Sequence, residues 1–190
     1  MPLSKPANRE HLHTRDIKCH GYLREDGMWD IEGRITDRKT YSFPNHDRQG
    51  INAGEDIHDM SVRLTMDSEF VIHDAEVSTD ASPFAICPGI THAYKSLVGL
   101  QIKSGWRKNV LERFGRSKGC THITELLLGA MATTAFQSLG GSTIKSSDVQ
   151  KGNNPTRLVG SCHALSSDSQ VVQRQWPELY TGIPEESGEI

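Results

Sequence analysis

No stretch of this chain approaches eighteen uninterrupted apolar residues, so no transmembrane helix is expected. The opening residues, MPLSKPANREHLHTR, lack the apolar core of a secretory signal, and the expected location is cytoplasmic, with no membrane partner. Paired Cys-x-x-Cys spacings are missing as well. Cys19, Cys87, Cys120 and Cys162 stand far apart, which argues against a zinc ribbon or a disulfide framework and leaves free thiols or metal ligands. Hydrophobic residues are sparse at 35%, yet they recur periodically and the net charge is only −3, which argues against general disorder. No nucleic-acid-binding motif appears and the molecule is acidic overall, so nucleic acid is not an expected partner.

What is present is histidine and an uneven distribution of charge. Six of the nine histidines (His11, His13, His20, His46, His58 and His73) fall in the first eighty residues, which invites a metal hypothesis. Lys plus Arg against Asp plus Glu runs 10 to 16 over residues 1–80, 10 to 3 over 81–163, and 1 to 5 over 164–190. Within the basic middle, KSGWRKNVLERFGRSK holds six cations and one acid, enough to attract an anionic small-molecule ligand.

A length of 190 residues suits one domain with a tail. Residues 1–10 read as a flexible arm, 11–180 as a single α+β domain, and 181–190 as an acidic mobile tail. From His11 to about Thr79 the pattern has period two, the signature of strands with one buried face. Trp29, Ile31 and Ile35 share one face against Asp30, Glu32 and Arg34; Met60, Val62, Leu64 and Met66 alternate with Asp59, Ser61, Arg63 and Thr65. Glu25–Gly27 marks a tight turn, and Val62–Met66 with Phe70–Val77 a hairpin. The expectation is an antiparallel meander of about four strands.

After Pro83 the period changes. Short helices are expected in PGITHAYKSLVG, stopped by Gly99, and in GWRKNVLERFG, ended by Gly115. A longer one spans Thr121–Leu139, with Thr121 as N-cap and the Gly140–Gly141 pair as its end. A C-terminal strand or hairpin is expected in TRLVGSCHALSSDSQVVQRQWP. Strands first and three helices after imply α+β architecture with the helices on one sheet face, and an exposed edge strand makes a homodimer plausible.

Chemistry is expected at SKGCTHITELL. Cys120 beside the positive end of a helix favours thiolate. His122 and Glu125, three apart, project from one face and could share a metal or act as acid and base. Cys120, His122 and Glu125 are therefore the candidate catalytic residues. Leu12 separates His11 from His13, so in a strand both rings point to the same face, with Arg15 continuing it; Cys87 sits at a helix entry. Cys120, His122, Cys87, His11 and His13 form the candidate ligand set for zinc, iron or manganese. Arg107 and Lys108, with Trp106, are the candidate substrate contacts. The pairs His58–Asp59 and His73–Asp74 read instead as structural histidines, and Asp30, Glu32 and Arg34 as a solvent face with a cross-strand ion pair.

REHLHTRDIKCHGYLREDGMWDIEGRITDRKTYSF, AGEDIHDMSVRLTMDSEFVIHDAEVSTDASPFAICPGI, LVGLQIKSGWRKNVLERFG and GCTHITELL together resemble a family of bacterial proteins of about this length, catalogued as a domain of unknown function. The resemblance covers roughly residues 2 to 180 and implies a soluble bacterial protein accompanying aromatic-acid or acyl-thioester catabolism. The order of hairpin, helix-entry cysteine (Cys87), helices and a second cysteine before a helix (Cys120) is also similar to iron–sulfur scaffolds of the NifU and IscU type. Here, however, no cysteine lies at the first hairpin turn and Cys162 falls late. The leading expectation is an enzyme of metal- or thiolate-assisted hydrolysis or lysis. The alternatives are a non-catalytic metal, iron–sulfur or thiol accessory protein, or a ligand-binding module.

Overall fold

The computed structural model describes residues 3–140 and 158–182. Its chain divides into two compact units, residues 1–139 and 140–190. In the first, strands β1 (His13–Leu23), β2 (Trp29–Lys39), β3 (Asp56–Met66) and β4 (Ile72–Ala81) form one antiparallel sheet in the order β1-β2-β3-β4. The turn at Glu25–Gly27 is present, with Gly27 at φ 81, a conformation open to glycine and closed to most side chains. The β3–β4 connection is held by Asp67, whose carboxylate accepts from the backbone N–H groups of Glu69 and Val71.

The period-two pattern becomes burial. Trp29, Ile31 and Ile35 of β2 and Met60, Val62, Leu64 and Met66 of β3 are buried, while Arg34 and Arg63 are exposed on the opposite side. Asp30 accepts from Thr65 (2.6 Å) and Glu32 from Arg63 (2.8 Å), so that outer face is laced by cross-strand polar pairs. Tyr94, Leu97, Val110, Phe114, Ile123, Leu126, Leu127, Met131 and Leu139, all following the sheet in sequence, complete a single core against the inner face. Gly33 shares that inner face by strand parity, and a Cβ there would meet Met131 Cγ at 2.8 Å.

Three helical expectations change. The Cys87–Leu97 segment is a run of 3-10 turns instead of an α-helix, with Pro88 in its first turn and Gly99, at φ 84, just beyond its end. The long helix breaks at Gly129 into α2 (Thr121–Leu128) and α3 (Ala130–Gly140), following α1 (Trp106–Phe114). Cys120, with extended backbone at φ −86 and ψ 131, is the N-cap of α2, which makes Thr121 its first helical residue. The expected end at Gly140–Gly141 falls at the edge of the described residues. In the second unit, residues 158–182 contain 3-10 turns at His163–Leu165 and Pro177–Leu179 and helix α4 (Gln170–Gln175), with no strand among the described residues. The expected C-terminal strand is thus replaced by helical turns. Ser169 caps α4 by accepting from the Val172 N–H (3.2 Å), a capping signal that outweighs the alternation around it. The expected tail lies almost wholly outside the described residues.

Candidate functional site

The inner face of the sheet is apolar until its last rows, where it becomes ionisable. Arg15 on β1, Asp37 on β2 and His58 on β3 are direct cross-strand neighbours. Immediately beyond Asp37 the β2–β3 register shifts, Asp37 pairing with His58 but Arg38 with Asp56, so Ile57 is the extra residue of a bulge. Bulges re-aim side chains locally, and this one lies directly beside the polar row.

Asp37 is the hub. Its side chain is only 3% exposed, and its two oxygens accept from Arg15 Nε and Nη2 (2.9 Å each), His13 Nε2 (2.8 Å) and His58 Nδ1 (3.1 Å). His122 on α2 brings Nε2 to 3.5 Å from Asp37 Oδ2, and its ring lies over that of His58 with centroids 3.7 Å apart and planes at 31°. Arg15 Nη1 reaches Glu125 Oε2 on α2 (2.6 Å), tying helix to sheet. On the other edge of the His122 ring, Cys120 Sγ lies 3.8 Å from Nδ1 and 3.5 Å from Met60 Sδ.

The electrostatics follow from this geometry. Burial acts to raise the Asp37 carboxyl, but hydrogen bonds from Arg15 and His13 outweigh it and hold the pKa at about 2. Burial, reinforced by the neighbouring His122 ring, lowers His58 to about 4. Burial and then the Arg15 cation push His122 below its ordinary value. At neutral pH the cluster is therefore one carboxylate and two uncharged imidazoles. Asp37, His58 and His122 can each offer a ligand atom, all within 4.8 Å of one another. Such a set of two histidines and one carboxylate is one that divalent transition metals accept.

The start of α2 is fixed from below. The Tyr94 hydroxyl accepts from the Cys120 N–H (2.9 Å) and lies 3.1 Å from the Cys120 carbonyl and 3.2 Å from Thr124 Oγ1, while its ring stacks on Phe114 at 4.3 Å. Gly119 is extended, so no turn requires it. It is there because a Cβ would meet the Phe114 carbonyl oxygen at 2.7 Å and the Tyr94 hydroxyl at 2.8 Å.

Of the residues expected from sequence, Cys120, His122, Glu125 and His13 are brought together. His11 precedes β1, and its Nε2 donates to the His13 carbonyl (3.0 Å) instead of turning to Asp37. Cys87 begins the 3-10 run, half-buried, outside the Asp37 cluster. Trp106 is 5% exposed with its indole N–H donating to the Leu127 carbonyl (2.7 Å), which places it in the core instead of on a ligand surface. Lys108 is exposed, 3.9 Å from Glu112. Arg107 borders a groove of about 490 Å³ that Glu125 also lines. Sequence reasoning missed Asp37 altogether and took His58 for structural. The signal available was parity, since each shares the face of the buried hydrophobic residues on its strand. His73, by contrast, pairs with Asp67 (2.7 Å) at the exposed turn.

Among the described residues no helix is long and apolar enough to cross a membrane. No curated protein and no solved structure matches the chain. A family model described as "Protein of unknown function (DUF2889)" matches residues 13–137, which span all four strands, the Asp37 cluster and most of α3, and the chain belongs to that family.

Proposed function

We propose that Asp37, His58 and His122 bind a divalent transition metal (zinc, iron or manganese) and that the protein is a metal-dependent enzyme carrying out hydrolysis or lysis of a small organic substrate. The reading rests on one observation: a carboxylate and two imidazoles from three separate elements offer ligand atoms within 4.8 Å of one another in the last rows of an otherwise apolar sheet face. Their protonation states support it. Ligands must be deprotonated to bind, and these three are so at neutral pH without help from a metal. Three protein ligands leave coordination positions for water and substrate, the arrangement of catalytic sites. A bound metal would supply a polarised carbonyl or an activated water. Arg15 and His13, which hold Asp37 without belonging to the triad, orient the carboxylate in the manner of outer partners at metal sites.

Metal analysis of protein purified without an affinity tag tests this directly. About one equivalent of metal is expected, falling at least tenfold in Asp37→Ala, His58→Ala and His122→Ala variants that remain folded. Folded protein that takes up no zinc, iron or manganese when these are supplied rules the reading out.

A second reading has its own observation. Cys120 Sγ faces one nitrogen of His122 (3.8 Å) and Asp37 faces the other (3.5 Å), the order of a nucleophile, a base and its orienting carboxylate. On this reading Cys120 forms a thioester with an acyl substrate, His122 takes the thiol proton and returns it to the leaving group, and water completes the turnover. Cys120→Ser separates the two: it abolishes thiol chemistry and an acyl burst but leaves the metal content intact.

A further inference from the structure

The groove lined by Arg107 lies between β1, α1 and the length of α2, reaching the break at Gly129. Ile17, Leu111, Phe114 and Leu128 give it an apolar wall, and Arg107 and Arg116 add two guanidinium groups. Ile17 and Leu111 are 39% and 42% exposed, so this wall presents apolar surface to solvent. We propose that this groove binds a small organic carboxylate with an apolar body, its carboxylate pairing with Arg107 and Arg116, and that it is the substrate side of the Asp37 cluster.

Charge supports this assignment. In the basic block, Lys108 pairs with Glu112, Lys118 Nζ donates to the Glu112 carbonyl (3.1 Å) and Arg113 Nη1 to the Asn109 carbonyl (3.4 Å). Arg107 and Arg116, like Lys103, make no side-chain hydrogen bond or ion pair among the described residues, and of these three only the two arginines line the groove. The one carboxylate on the groove, Glu125, is taken by Arg15 at 2.6 Å. A concavity with a greasy wall and two unopposed guanidinium groups suits an amphipathic anion, since planar guanidinium matches carboxylate geometry and the wall takes up the apolar body. Arg116 also occupies left-handed backbone, φ 59, where glycine would be unstrained. None of Asp37, His58 and His122 lines the groove, but its wall adjoins their surroundings. Glu125 lines it and bonds to Arg15, which clamps Asp37; Ile17 follows Arg15 on the same strand face; Thr121 on the groove precedes His122. A volume of about 490 Å³ is within the range of small-molecule sites.

The substrate assignment rests on the metal-site reading; the binding does not, and the experiment is arranged accordingly. Full-length protein, treated with chelator and untreated, is titrated calorimetrically with octanoate, octanol and inorganic phosphate. Octanoate is expected to bind both forms, with octanol and phosphate each at least about tenfold weaker. Arg107→Gln and Arg116→Gly are expected to weaken octanoate about tenfold each, while Lys108→Gln leaves it unchanged. Arg116→Gly is the decisive variant. It relieves the strained backbone, so its melting temperature should hold or rise, and lost affinity is then not a folding defect. Equal affinity for octanoate and octanol, phosphate binding as tightly as octanoate, or indifference to both arginine substitutions overturns the proposal. So does a concentration-dependent dimer abolished by Arg107→Gln, which would give the groove to a second copy. Absent metal with intact octanoate binding would sink the catalytic reading alone.

Discussion

Arg15 decides whether Asp37 can remain charged in a nearly buried position. The two nitrogens it presents match the two carboxylate oxygens, a geometry lysine cannot reproduce. Replacing Arg15 by Met leaves the hub carboxylate short of its main partner and should destabilise the fold by about 2 kcal/mol, below the roughly 3–5 kcal/mol of a fully buried broken pair because Arg15 is one-third exposed. Arg15→Lys should recover only part of that. Urea unfolding of the metal-free protein measures both; equal stability of wild type and Arg15→Met would show that the network does not support the fold. Much of this site is legible in the sequence once parity is applied to charges as well as to hydrophobic residues. Asp37 lies two residues past Ile35 and His58 two before Met60, each on the strand face its neighbours bury. An ionisable group at such a position needs a partner. Which partner is not legible, since Arg15, Asp37, His58 and His122 are distant in sequence.

At the scale of elements, two junctions carry the geometry. The first is the entry to α2, where the Tyr94 hydroxyl and the absence of a side chain at Gly119 set how closely the helix approaches Phe114. Gly119→Ala forces backbone apart and should cost about 1–3 kcal/mol by thermal unfolding; Tyr94→Phe leaves the Cys120 N–H without its acceptor and should cost about 1–2 kcal/mol. The second is the β3–β4 turn. Phe70 sits at φ 64, a strained position for an aromatic residue, and buries its ring 4.9 Å from that of Phe136. Burial acts to raise the Asp67 carboxyl, but bonds from His73, Val71 and Glu69 outweigh it and hold the pKa below the ordinary value. A depressed carboxyl contributes stability above its unfolded pKa of about 3.8 and loses it as pH falls through the lower folded value. Asp67→Asn should therefore flatten the acid limb of the stability profile between about pH 4 and the folded value. An unchanged limb would assign the acid sensitivity to other carboxylates.

At the scale of the whole molecule, the buried core from Trp29 to Leu139 and the Asp37 cluster both belong to the first compact unit. A chain ended after residue 140 should fold cooperatively with the cluster intact, seen as a single denaturation transition and wild-type metal uptake; a molten or metal-free product would refute this. The meander, its buried faces and the change to helices at Pro83 follow from sequence alone, because alternation and turn residues act over a few positions. Local spacing also marks Cys120, His122 and Glu125 as neighbours. Only the tertiary structure joins them to Arg15, Asp37 and His58, breaks the long helix at Gly129 and opens the groove beside Arg107. Those outcomes depend on which rows of a twisted sheet meet which turn of a helix, and contacts between residues as far apart as Arg15 and Glu125 leave no periodic trace in the chain.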